Sequence, residues 1–180
     1  MPEKSTFTRD EILQCGHGEL DGTAYPRLPL PNMLMLDRIT KISDQGGKYG
    51  RGVVEAEFDI NPEAWFFACH FKDDPVMPGS LALDALCQLL GFYLGWKGYK
   101  GKGRALGIGE VKYRGEILPT SEKISYHLDI KKIVKGSIAM AIADGEILLR
   151  GQVVNKAKSL RVGIVPYHPA SHHVTSSMKT

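Results

Sequence analysis

The stretch from Ser80 to Gly95 constrains the fold more than any other part of the chain. It carries Leu81, Leu83, Leu86, Leu89, Leu90, Phe92 and Leu94, spread around nearly the whole circumference of a helix. A helix that is apolar all round has to be enclosed. The exceptions are Asp84, Gln88, Gly91 and Gly95, which share one face at spacings i, i+4, i+7 and i+11. The run from Leu81 to Trp96 is broken by Asp84 and Gln88 and is too short to span a bilayer. The remainder of the chain must therefore wrap this helix, leaving one polar or backbone-exposed stripe.

The wrapping material reads as strands. From Val54 to Ile60, apolar Val54, Ala56, Phe58 and Ile60 alternate with Glu55, Glu57 and Asp59. Ile124, Tyr126, Leu128 and Ile130 alternate in the same way with Ser125, His127, Asp129 and Lys131. Asn32 to Ile42 is apolar and strand-like, and Ala105 to Tyr113 fits a strand in which Gly107 and Gly109 mark close backbone approach. Ile138 to Ala143 and Ile147 to Val154 predict a hairpin turning at Asp144-Gly145. Ahead of them, Thr8 and Glu11 form a capping box flanked by Phe7 and Ile12, so a short helix is expected from Arg9 to Cys15, stopped by Gly16 or Gly18. Leu20 to Pro31, with three prolines, predicts an extended connection over the surface. The expected class is α+β, an antiparallel sheet around a long central helix. One domain over 1–169 is expected, followed by a polar, disordered tail over 170–180.

Charge and cysteines narrow the setting. Lys and Arg total 23 against 20 Asp and Glu, an excess too small to point to nucleic acid. Cys15, Cys69 and Cys87 are odd in number and lack CxxC spacing, so free thiols in a reducing cytosol are expected. The charged N-terminus has no apolar signal-peptide core, so a soluble cytoplasmic protein is expected.

Asp84 is the most informative single residue. A carboxylate within an apolar helix costs several kcal/mol of desolvation unless a partner compensates it. Gln88, one turn later on the same face, can donate a hydrogen bond to it. The pair is either a structural tie to a neighbouring strand or an acid/base group lining a cavity. His70 follows the apolar stretch Trp65 to Cys69 and leads through Pro75 and Pro78 to the start of the Asp84 helix. A lone histidine is usually a satisfied core residue, but an imidazole can also exchange a proton near neutral pH. Strand alternation would send the Cys69 thiol away from His70, into inert burial. Gly79 opens the helix, whose first N–H groups and positive dipole end suit a developing oxyanion. Taken alone, Gly79 is better explained as a turn residue.

The run from His70 to Phe92, His-Phe-Lys-Asp-Asp-Pro-Val-Met-Pro-Gly-Ser-Leu-Ala-Leu-Asp-Ala-Leu-Cys-Gln-Leu-Leu-Gly-Phe, resembles the active-site signature of bacterial 3-hydroxydecanoyl-acyl-carrier-protein dehydratase/isomerases. Pro31 to Arg38, Gly101 to Gly107 and Ala143 to Glu146 add to the resemblance, which runs from about Phe7 to Val165. The sister dehydratases without isomerase activity carry Glu where Asp84 stands.

The resemblance implies the hot-dog fold and a homodimer with composite sites between its subunits. It implies dehydration of 3-hydroxyacyl thioesters borne by acyl carrier protein, with trans-2 to cis-3 isomerisation of the ten-carbon product. His70 and Asp84 would be the catalytic pair. Gly79 would serve the oxyanion and Gln88 would orient Asp84, while Val76, Phe71 and Pro78 would touch substrate. Both steps are proton transfers, so neither metal nor organic cofactor is expected, and His168, His172 and His173 are expected to be solvated tail residues. The acidic carrier would dock on a basic surface drawn from Lys131, Lys132, Lys135, Lys156, Lys158 and Arg161, of which Lys132, Lys135 and Arg161 are the leading candidates. Two other readings stay open: an acyl-thioester hydrolase on the same fold, and a catalytically silent acyl-carrier-binding module.

Overall fold

In the computed structural model, which describes residues 4–20 and 25–166, the alternating segment around Tyr126 is a central strand. Ile124, Tyr126, Leu128 and Ile130 all point inward and are no more than 1% exposed. The elements in chain order are α1 (Arg9–His17), β1 (Arg38–Ser43), β2 (Val53–Asp59), α2 (Gly79–Trp96), β3 (Lys102–Gly107), β4 (Glu110–Tyr113), β5 (Lys123–Lys135), β6 (Ala139–Leu149) and β7 (Gln152–Val165). Seven strands form one antiparallel sheet in the order β1-β2-β5-β6-β7-β3, with β4 also pairing β7. The sheet curls round α2, which packs on β2, β3, β5, β6 and β7. This is the α+β arrangement that the helix pattern requires. No helix among the described residues is long and apolar enough to cross a membrane.

The predicted capping box is present at α1, with Thr8 and Glu11 satisfying each other's backbone N–H. The helix runs two residues past Cys15 and stops at Gly18, whose φ of 81° is the left-handed cap.

Several expectations are corrected. The strand expected over Asn32 to Ile42 begins only at Arg38. Leu34, Met35 and Leu36 are apolar because they are buried in an irregular segment over the core. The Ala105 to Tyr113 strand is split into β3 and β4 at Ile108-Gly109, which lets both halves pair with β7. Trp65 to Cys69 forms turns instead of a strand, and the Cys69 thiol is exposed, not buried. From Tyr25 to Leu30 the connection is irregular as expected, yet Leu20, Pro26 and Leu28 are buried against the core.

The hairpin also lies elsewhere than its dipeptide predicts. β6 passes straight through Asp144-Gly145, and the chain reverses at Arg150-Gly151, with φ of 49° and 79° between the paired Leu149 and Gln152. Gly145 instead sits where the helix presses on the sheet. A Cβ there would lie 2.7 Å from Leu86 Cδ1 and 3.0 Å from Leu128 Cδ2. Asp144 points outward and accepts from Tyr49 Oη at 2.6 Å, Lys131 Nζ at 2.6 Å and Ser159 N at 2.9 Å. The tail over 170–180, its expected boundary at 169, and His168, His172 and His173 lie outside the described residues.

Candidate active site

Asp84 lies in the second turn of α2, half-buried, on the stripe that the sequence marks. Gln88 Nε2 donates to its Oδ2 at 2.7 Å. The amide is itself held from behind. Its Nε2 donates to Met33 O at 2.7 Å, and its Oε1 accepts from Met35 N at 3.2 Å. A carbonyl needs a donor and an N–H needs an acceptor, so these two backbone groups fix which way the amide faces. Gln88 can therefore offer Asp84 only an N–H. The irregular segment over 33–36, unexplained as a strand, acquires a role as the clamp on Gln88 through Met33 O and Met35 N.

Asp84, Cys87, Gln88, Gly91 and Phe92 form one wall of a groove of about 260 Å³. The Pro26–Pro29 segment forms another, and Gly103–Ala105 of β3 with Val162 of β7 closes the far side. Burial, reinforced by the nearby Asp84 charge, pushes the Cys87 thiol up to about 11. It stays protonated at neutral pH and offers no nucleophile.

His70 sits on the turn segment anchored by buried Phe66 and Phe67. Its backbone N–H donates to Phe66 O at 2.9 Å, and its carbonyl accepts from Val76 N at 2.8 Å. The ring Nδ1 is 2.9 Å from Val76 O. A carbonyl only accepts, so Nδ1 carries the proton and Nε2 holds the free lone pair of the neutral ring. Phe71 stacks on the imidazole with ring centroids 4.0 Å apart, and is itself 55% exposed. Met77 N donates to Ile117 O at 2.8 Å, tying this loop to the segment after β4. Val76 and Pro78 are half-buried beside it.

Gly79 begins α2 after Pro78, with no side-chain cap. Its missing Cβ makes room for the Tyr113 ring, whose Cε1 would lie 2.6 Å away. The chain thus brings Asp84, Gln88 and the groove together, and separately assembles His70, Phe71, Val76, Pro78 and Gly79 as a loop leading into the helix. The groove beside Asp84 is not lined by His70.

Among the basic candidates, Lys132 and Arg161 are both exposed and both pair across Ile142. They share the outer face of the sheet two strand spacings apart, about 10 Å at the backbone. Lys135 turns to the other side, its Nζ 5.9 Å from the Tyr99 ring centroid. Lys131, Lys156 and Lys158 are engaged with Asp144, Glu146 and Glu110. No group of three or more His, Cys, Asp or Glu side chains gathers as metal ligands among the described residues.

Sequence reasoning missed Cys87, Tyr113 and the Pro26–Pro29 wall. Cys87, three residues after Asp84, could have been found from helical proximity. The other two reach the site only through tertiary packing and left no local signal.

A model of the FabA-like domain matches residues 28–158. The chain belongs to the FabA-like domain family. Among solved structures it is similar to the dehydratase heterocomplex ApeI:P from Xenorhabdus doucetiae, at 18% identity and a TM-score of 0.57, covering 79% of this chain and 88% of that one. It is also similar to a putative thioesterase from Shewanella oneidensis, at 9% identity and a TM-score of 0.55, covering 88% and 97% respectively. At these identities the likeness establishes the fold, a hot-dog sheet wrapped on one helix.

Proposed function

We propose that the protein removes water from 3-hydroxyacyl thioesters presented by acyl carrier protein, giving trans-2-enoyl products. We further assign it isomerisation of the ten-carbon product to the cis-3 form, the branch toward unsaturated fatty acids. The observation that carries this reading is the Asp84 carboxylate. On a FabA-like domain, a clamped Gln88 N–H holds it at the wall of a groove beside the buried helix.

The C2 proton is acidified by the adjacent thioester carbonyl, and His70 Nε2 takes it. The oxygen of the developing enolate receives the Gly79 N–H at the positive end of α2. Hydroxide leaves poorly, so Asp84 is assigned the proton transfer to the C3 hydroxyl as the C3–O bond breaks and water departs. The pair is reset when His70 returns its proton to Asp84. In isomerisation one proton leaves C4 and another arrives at C2, with His70 as the shuttle. Phe71, Val76 and Pro78 flank the approach of the thioester. The reaction consists of proton transfers and the loss of water by C3–O cleavage, with no change of oxidation state for a cofactor to carry.

His70 does not line Asp84's groove, which supports a homodimer in which His70 of one subunit faces Asp84 of the other. β3 ends the sheet with an exposed edge beside that groove, the kind of edge a second copy can pair with.

The reading is tested with 3-hydroxydecanoyl and saturated decanoyl thioesters, resolving trans-2 and cis-3 products by gas chromatography. Dehydration without thiol release is expected. Release of free thiol from both substrates would replace the reading with a hydrolase, and no turnover of either would leave a carrier-binding module.

The carrier makes a separate prediction. Lys132→Glu combined with Arg161→Glu is expected to raise the apparent KM for carrier-bound substrate several-fold, leaving that for a small thioester analogue in place. Equal effects on the two substrates would remove these charges from the docking surface.

A further inference from the structure

Glycine inside a helix lowers stability relative to alanine, because it loses more backbone freedom on folding and contributes no side chain. Most helical glycines of this chain have a steric reason to be there. A Cβ at Gly16 would meet the Leu30 side chain at 2.6 Å, and one at Gly79 would meet the Tyr113 ring at 2.6 Å. At Gly95 it would meet Pro26 Cδ at 2.5 Å. Gly91 has no such reason. It is buried in the middle of α2, yet among the described residues a Cβ there would meet only Val162 Cγ1, at 3.7 Å, an ordinary van der Waals contact. Alanine fits the folded chain, so the glycine preserves a methyl-sized space that packing does not demand.

That space opens into the groove beside Asp84. Gly91 lies one i+7 step beyond Asp84 on the same face, about 10 Å along the helix axis. An extended alkyl chain with C–C bonds near 1.5 Å advances about 1.3 Å per bond. A thioester whose C3 sits at Asp84 therefore brings the end of a ten-carbon chain level with Gly91, whereas a four-carbon chain stops well short.

We propose that Gly91 is a specificity-determining residue: its missing side chain sets the acyl length that the groove accepts. The proposal rests on the acyl-thioester reading above, and takes the tail of the acyl chain as the occupant of the space at Gly91. A single methyl group there competes with the terminal carbons of a long chain and leaves the region around Asp84 untouched.

The test compares wild type with Gly91→Ala, using binding of saturated butyryl- and decanoyl-pantetheine thioesters by calorimetry, and turnover of the matching 3-hydroxyacyl thioesters. The preference for ten carbons over four is expected to fall at least about tenfold in both measurements, the scale of one methylene-sized change in an apolar pocket. The thermal midpoint of the variant should be no lower than that of wild type. An unchanged chain-length preference overturns the proposal, as does an equal loss for both lengths. A lower midpoint or loss of the dimer overturns it too, because the glycine would then serve packing or a subunit contact. Should saturated chains bind with the expected shift while neither 3-hydroxyacyl substrate is dehydrated, the dehydratase reading fails and the gauge at Gly91 stands.

Discussion

His70→Asn and Asp84→Asn are each expected to lower dehydration by at least about 10²-fold, the contribution typical of a general acid or base, with the fold intact. Neither residue belongs to the apolar core. In the Asp84→Asn variant the amide has the shape of the carboxylate it replaces, and its oxygen can still accept the Gln88 N–H, so the helix loses no partner. It loses only the ability to give up a proton. In the His70→Asn variant the amide can keep a donor toward Val76 O, but no second nitrogen with a free lone pair is left to receive the C2 proton. Steady-state kinetics on both variants, with circular dichroism to verify folding, decides the matter. Near-normal turnover in either folded variant would remove that residue from the chemistry.

The legibility of the sequence followed from how directly each pattern records burial. α2 was readable because its side chains are apolar on nearly every side, and the inward face of β5 because alternation has a fixed period of two. The Asp84–Gln88 bond was readable for the same reason, since residues four apart on a helix face each other. What holds Gln88 in turn was not, because Met33 and Met35 reach it through backbone groups from 55 and 53 residues away. Asp144-Gly145 shows the opposite failure. The dipeptide serves both positive-φ turns and close approach of a helix, and only the packing of Leu86 and Leu128 distinguishes the two. An apolar run such as Trp65 to Cys69 carries the pattern of a strand, yet Phe66 and Phe67 bury themselves from a series of turns, which leaves the Cys69 thiol exposed. The loop that orients His70 has no period at all, and its tautomer follows from one carbonyl, that of Val76.

The second large effect concerns where the two halves of the site meet. Mixing inactive His70→Asn and Asp84→Asn proteins, under conditions that let subunits exchange, is expected to restore activity. With random pairing, about half the dimers are mixed. Each mixed dimer holds one site in which both residues are wild type and one in which neither is, so roughly a quarter of wild-type activity should return. The prediction follows from two features of the single chain. Asp84 opens on a groove walled by Pro26–Pro29 and β3 without His70, and His70 turns its Nδ1 back to its own loop, leaving Nε2 to face outward from it. A sheet closed on one helix encloses little more than that helix, and the 260 Å³ groove becomes a tunnel only when a second surface covers it. A same-chain site makes the contrary prediction. Every His70–Asp84 pair would then keep one mutated member, and no mixture could recover. If mass spectrometry verifies exchange and activity stays at background, His70 and Asp84 of one chain must act together, and the composite site is wrong.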